Sequence, residues 1–228
     1  MDAVTNEIAL SEYGSALAAA ERLFEEGRRA VAGIVAPAGK PDAALIDQHQ
    51  FALHGLAWQA AYVEALRQTL RWAEGLAASG SIGATEAAIL RLGYAEYLAQ
   101  LAGGVPMSQA EVVRPADLGV PPEAVAHFLA EPAVLARLSS PAALEAARLA
   151  LAEGLVESQY GAFGLDDEAL EATRAEFLRF TAAEVTPHAQ GWHQKDELIP
   201  IELIGKLAEM GVFGLTIPEE YGGLGLGK

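Results

Sequence analysis

Apolar residues recur at three- and four-residue steps along most of the chain, and prolines and glycines gather between those stretches. This is the period of helices that bury one face, so the pattern predicts an all-α chain. A first helix is expected over residues 7–34, with Leu17, Ala20, Leu23 or Phe24, and Val31 near one face. Pro37, Gly39 and Pro41 break it. A long helix follows over residues 42–78 with two apolar stripes. One runs through Leu56, Ala60, Val63, Leu66, Leu70, Ala73 and Ala77, the other through Trp58, Tyr62, Ala65, Thr69 and Trp72. A helix apolar on two sides packs both ways, which makes this one the expected spine of the N-terminal part. After the turn at residues 80–83, a third helix is expected over 84–102. Its inner face is drawn through Ile89, Leu92, Ala95, Ala99 and Ala102, with Tyr94, Tyr97 and Leu101 beside it.

Gly103 and Gly104 end that helix, and residues 106–124 look like a polar, proline-punctuated connection. Ser108 and Glu111 have the spacing of a capping box, which allows one short helical turn at 108–112. Helices are expected at 122–129, 132–138 and 141–155, each opened by a proline. Residues 158–165 (SQYGAFGL) mark a boundary, giving two parts, 1–158 and 159–228. The second part holds two helices joined by a charged connection. The first opens at Asp166, Asp167 and Glu168, acids that suit the positive end of a helix dipole. It carries Leu170, Thr173, Phe177, Phe180 and Glu184 or Val185 on one face. Pro187 is expected to end it, because the residue before a proline is pushed out of the α region. The next helix is expected to start at Pro200 and to bury Ile204, Leu207 and Ala208. Gly211 is placed for a left-handed cap.

The order of residues in this second part resembles the opening of the acyl-CoA dehydrogenase family. There, a helix ending in V-x-P-x-A precedes an acidic stretch, then P-x-E-x-x-x-x-L-x-E-x-G-x-x-G, then PEEYGG-x-G. The matching residues are Val185, Pro187, Ala189, Asp196, Glu197, Pro200, Glu202, Leu207, Glu209, Gly211, Gly214, residues 218–223 and Gly225. The resemblance covers about the last third of the chain. Its implications are an FAD-dependent oxidoreductase, an acyl-CoA substrate, a homo-oligomer, and electron-transferring flavoprotein as acceptor. In such enzymes a glutamate takes the α-proton of the acyl thioester while the β-hydride passes to the flavin. The family's flavin-binding β-domain and catalytic glutamate lie beyond these motifs. The resemblance therefore implies the front piece of a longer enzyme, with FAD bound by later domains and this segment inactive alone. Residues 218–225 would help wall the acyl end of the site. Most members begin almost directly with the helix that opens at Asp166, so the long helical stretch ahead of it is unusual. A non-catalytic helical interaction module that kept only the front of the fold is the alternative.

Composition narrows the classes further. A formal charge of −16 argues against binding nucleic acid through a basic face and disfavours an anionic membrane surface. With no cysteine there is neither a disulfide scaffold nor a thiolate metal site. The most apolar stretch, 51–66, is interrupted by His54, Gln59 and Glu64, so it is not a membrane span. No signal-peptide pattern opens the chain, and a cytoplasmic location is the expectation.

Residues 222–228, GGLGLGK, satisfy the phosphate-loop spacing G-x-x-x-x-G-K. Glu219 and Glu220 stand just ahead, where phosphate would sit, so a glycine turn passing close to a neighbouring element is favoured. His188 and His193 with Asp196 fall in a short connection without a third strong ligand, and a solvated or locally hydrogen-bonded role is favoured over metal binding. His49 and His54 point to different sides of their helix. Trp58, Tyr62 and Trp72 have the spacing of a flavin or acyl platform, but also that of core packing, which is favoured. No catalytic, cofactor-binding or metal-ligating residue is assigned.

Overall fold

The computed structural model describes residues 9–157, 160–165 and 167–226. The described residues are 74% helical, and the chain divides into two compact units, Met1–Gly164 and Leu165–Lys228.

The first unit is built on α1 (Leu10–Val35), α2 (Ala43–Gln48), α3 (Gln50–Ala78) and α4 (Ala84–Gly103). Residues 7 and 8, where α1 was expected to begin, lie outside the described residues. Tyr13, Ala16, Leu17, Ala20, Leu23, Gly27 and Val31 form the buried stripe of α1. The single helix expected over 42–78 is instead two. Asp42 caps α2 by accepting the Ala44 and Leu45 N–H groups at 2.9 and 3.1 Å. His49 then leaves helical geometry (φ −112°, ψ 31°). The i→i−4 bonds from His49 to Leu45 and from Leu53 to His49 persist on either side of the corner. Neither glycine nor proline stands at the corner. It is set by α2 packing on both α1 and α3.

α3 is the spine, packed against α1 and α4. Its buried residues are Ala52, Gly55, Gln59, Val63, Leu66, Leu70, Ala73 and Leu76. The expected stripe is correct from Val63 to Ala73. Leu56, Ala60 and Ala77 are only half-buried, and Gly55 and Gln59 take the inner positions. The expected inner face of α4 is also rotated. Leu90, Tyr94, Ala95, Leu98 and Leu101 are buried, whereas Ala99 is exposed and Ile89, Leu92 and Ala102 are half-buried. Apolar residues nearly encircle α4, so periodicity does not choose a side. The neighbours do: α3, α6 (Pro132–Leu138) and α7 (Pro141–Val156) all pack on it.

The connection after α4 is not the polar loop with a helical turn that the spacing suggested. Val105–Pro106 (β1) pairs antiparallel with Val112–Val113 (β2), Val105 opposite Val113. Ser108 and Glu111 do meet, Oγ to Oε2 at 3.2 Å, but across the tip of this hairpin. Val105, Val113 and, after a 3-10 turn at Pro115–Leu118, Leu118 are fully buried. The hairpin thus closes the core end of the α3–α4 pair. Helices α5 (Pro122–Ala130), α6 and α7 begin at the prolines that announced them.

The second unit contains α8 (Glu168–Phe180), a π turn (Thr181–Val185), α9 (Thr186–Gln194) and α10 (Ile201–Glu209). Asp166 lies outside the described residues. Asp167 is the N-cap of α8 and accepts the Ala169 and Leu170 N–H groups at 2.7 and 3.1 Å. Pro187 does not end the helix. Thr186 keeps helical angles (φ −53°, ψ −42°), and its N–H bonds Thr181 O, five residues back. A widened turn absorbs both the proline ring and its missing N–H, so the helix continues to Gln194. In α10, Pro200 is the N-cap and not the first helical residue. Leu203 leads the buried side, with Ile204 and Leu207 half-buried and Ala208 exposed. Among the described residues of this unit, Leu203 alone is buried.

Candidate functional site

The family-like residues cluster in the stretch from Pro200 to Leu226. Gly211 follows α10 with φ +79°, the left-handed position expected of it. A Cβ there would touch Leu224 Cδ1 at 3.4 Å. Gly211→Val should cost on the order of 1 kcal/mol or more, since a β-branched residue tolerates positive φ poorly. An unchanged helical population over Ile201–Glu209, read from backbone chemical shifts, would contradict that assignment.

A 3-10 turn at Val212–Gly214 leads to Pro218, and a second covers Glu219–Tyr221. Gly222 (φ +82°) reverses the chain. The tail then folds back along residues 214–217. Leu224 N–H donates to Gly214 O at 2.8 Å, Gly225 N–H to Ile217 O at 2.9 Å, and Leu226 N–H to Leu215 O at 2.8 Å. Gly223 sits where the two runs are closest. A Cβ on it would lie 2.0 Å from Ile217 O, so the position excludes every side chain. The spacing favoured a glycine turn passing close to a neighbouring element but did not say which glycine, because contact across a turn leaves no mark in local spacing.

The fold-back also answers the phosphate-loop spacing, as far as it is described; Gly227 and Lys228 lie outside the described residues. A phosphate cradle needs free backbone N–H groups converging on an anion. Here the N–H groups of Tyr221, Gly222, Gly223, Leu224, Gly225 and Leu226 all donate to carbonyls of the turn itself. Glu219 and Glu220 add negative charge at its start. The arrangement does not fit the pyrophosphate of FAD. What it offers outward is apolar: Phe213, Ile217, Tyr221 and Leu224 are all exposed.

A groove of about 280 Å³ lies in the same unit, lined by Glu184, His188, Trp192, Pro200, Glu202, Leu203 and Lys206. Lys206 Nζ pairs with Glu184 at 2.6 Å, and the His188 ring lies 5.7 Å from that of Trp192. His188 and His193 therefore belong to α9, not to a connection. No group of three potential metal ligands occurs among the described residues.

The aromatic candidates of α3 are structural links. His54 Nε2 accepts the Trp58 indole N–H at 2.9 Å on an exposed face. The Tyr62 hydroxyl donates to Gln100 Oε1 at 2.7 Å, and its ring lies 4.4 Å from that of Tyr97. The Trp72 indole N–H donates to Ala162 O at 3.0 Å. Tyr62 and Trp72 are half-buried and tied into the fold, whereas Trp58 is exposed and not the core residue its spacing suggested.

Residues 167–228 match the family model "Acyl-CoA dehydrogenase, N-terminal domain". Over 226 residues, 96% of this chain, the sequence is 46% identical to (2S)-methylsuccinyl-CoA dehydrogenase of Cereibacter sphaeroides, of which the match covers 39%. Over 75 residues, 33% of this chain, it is 35% identical to mitochondrial isobutyryl-CoA dehydrogenase of Bos taurus, covering 18% of that protein. The chain thus spans about two-fifths of the first relative and under one-fifth of the second. The similarity to the bacterial enzyme includes the helical stretch ahead of residue 159. The chain resembles the N-terminal part of the acyl-CoA dehydrogenase family, and its last segment carries that family's N-terminal domain pattern.

Proposed function

We propose that this chain is the N-terminal portion of an FAD-dependent acyl-CoA dehydrogenase that oxidises methylsuccinyl-CoA to mesaconyl-CoA, a step of the ethylmalonyl-CoA pathway. The observation carrying this reading is the 46% identity over 96% of the chain, which spans the helical extension as well as the family segment. Residues 1–158 are assigned to the extension and 159–228 to the start of the family's α-domain. In this reading the apolar side of the 213–224 turn walls the acyl end of the substrate pocket, where exclusion of water and fixed orientation aid α,β-dehydrogenation. Flavin is held by later domains of the intact protein, electron-transferring flavoprotein takes the electrons, and the enzyme works as a cytoplasmic homo-oligomer. The test is a substrate panel on the enzyme that carries this chain at its N-terminus, with acceptor-dye reduction as readout. Methylsuccinyl-CoA should be the best substrate by at least tenfold in kcat/KM. A preference for isobutyryl-CoA or a linear acyl-CoA would replace the substrate but keep the family.

The 228-residue chain alone should bind no flavin. The described N–H groups of its candidate cradle, those of residues 221–226, are all taken by carbonyls, so the purified chain should be colourless and show no saturable quenching of FAD fluorescence. Micromolar FAD binding would contradict the assignment of the cofactor to other domains.

A further inference from the structure

We infer that the outward face of the N-terminal half of α3, formed by Phe51, His54, Ala57, Trp58 and Ala61, is a surface on which two copies of this chain associate. Residues 48–63 are the longest stretch of the sequence without Asp, Glu, Lys or Arg. The core accounts for one side of that stretch, since it takes Ala52, Gly55, Gln59 and Val63. The opposite side is uncharged as well, although Phe51, His54, Ala57, Trp58 and Ala61 are all exposed, Phe51 by 43% and Trp58 by 36%. Further along the same side of the helix, the exposed residues are Glu64, Gln68 and Arg71. Such polar and charged residues are what a helix ordinarily turns to water. The outward side of α3 thus changes from apolar to polar partway along one helix.

The Trp58 ring is prepared for burial. An indole N–H that loses water needs another acceptor. His54 Nε2 already accepts it at 2.9 Å, from one turn earlier on the same face. Ala57 and Ala61 stand beside Trp58, and their short side chains let a second helix come close.

Charge selects a second copy as the occupant. The chain carries a formal charge of −16, so two copies repel wherever their acidic surfaces meet. A twofold contact brings the same patch of each copy together, and a charged patch would therefore meet its own sign. This face carries no formal charge on either side of such a contact. With the two α3 helices antiparallel across the axis, Trp58 of each copy packs on Ala57 and Ala61 of the other. The contact is small, so its affinity should be micromolar. It would serve the proposed homo-oligomer, and it is independent of the substrate and cofactor assigned above.

Sedimentation equilibrium of the 228-residue chain tests the contact, with a single charge placed at Ala61. The wild-type chain should dimerise with a dissociation constant below about 100 µM. Ala61→Glu and Ala61→Lys should each weaken dimerisation at least tenfold, because like charges then meet across the axis. An equimolar mixture of the two variants should recover dimers to within about threefold of wild type, because opposite charges then meet. That recovery would also exclude unfolding as the cause of the single losses. Gln68→Glu places the same charge on the polar half of the helix and should change dimerisation less than twofold. A wild-type chain that stays monomeric well above 100 µM would overturn the proposal and leave the face to another occupant. So would dimers that persist in both Ala61 variants, since they would form through another surface, and so would a mixture that fails to recover.

Discussion

Replacing Tyr94 by alanine should destabilise the first unit by about 3–5 kcal/mol, the largest effect expected of any single change here. Tyr94 is fully buried at the centre of the α1–α3–α4 contact. Its ring meets Tyr13 edge-on with centroids 4.9 Å apart, and its hydroxyl donates to Leu66 O at 3.0 Å. Arg137 of α6 covers the Tyr13 ring at 4.1 Å from its centroid and pairs with Glu12. Four helices thus converge on two tyrosines. Truncation would leave a cavity the size of the ring, which close-packed neighbours fill only in part. Tyr94→Phe keeps the ring and loses one hydrogen bond, so it should cost only about 1 kcal/mol. Burial pushes the Tyr94 hydroxyl well above the usual tyrosine range, with Glu74 and Tyr13 adding to the shift. The group therefore stays neutral and donating up to strongly alkaline pH. Denaturant melts of both variants, followed by helical circular dichroism, measure the two costs. Equal costs would mean that the ring is not the main contributor.

Gly55→Ala should cost about 1–3 kcal/mol, against the usual gain when a helical glycine becomes alanine. Gly55 lies on the inner face of α3, where β2 crosses it. An added Cβ would stand 2.3 Å from Val113 Cγ2 and 2.8 Å from Val113 Cβ, far inside contact distance. The helix and hairpin would have to separate, loosening Val105 and Val113 together. Val113→Ala removes the nearest methyl groups, so the double variant should recover part of the loss, and the coupling appears in a double-mutant cycle. Additive costs would show that the hairpin does not rest on α3 at Gly55.

These two sites illustrate what the sequence could and could not reveal. Helices α5, α6 and α7 were legible to within a residue or two, because each opens on a proline that supplies its own start signal. The Gly211 cap was legible for the same reason, since a glycine after an amphipathic run has one common use. Pro187 misled, because its ring conflicts with an α turn and not with the wider π turn that forms there. The buried face of α4 was illegible because apolar residues surround it, so the choice of side belongs to its neighbours. Val105 and Val113 were hidden for a different reason. Two-residue strands are too short to show alternation, and pairing across a hairpin is not a local property. At the candidate site, the order of prolines and glycines pointed to the family. The closeness of Gly223 to Ile217 was not legible, because it depends on residues folded across a turn.

The first unit closes its own core, whereas the second does not. Core residues run through α1, α3, α4, the hairpin and α5–α6, whereas the second unit buries Leu203 alone among its described residues and exposes Leu198, Ile199, Ile201, Phe213 and Tyr221. So few buried side chains do not offset roughly 1–2 kcal/mol of backbone entropy per ordered residue. Amide hydrogen exchange on the 228-residue chain tests this directly. Protection should be strong across residues 53–77 of α3 and weak beyond Gly191, by at least a hundredfold in exchange rate. Equal protection at both ends would contradict the claim and make the two units one cooperative domain.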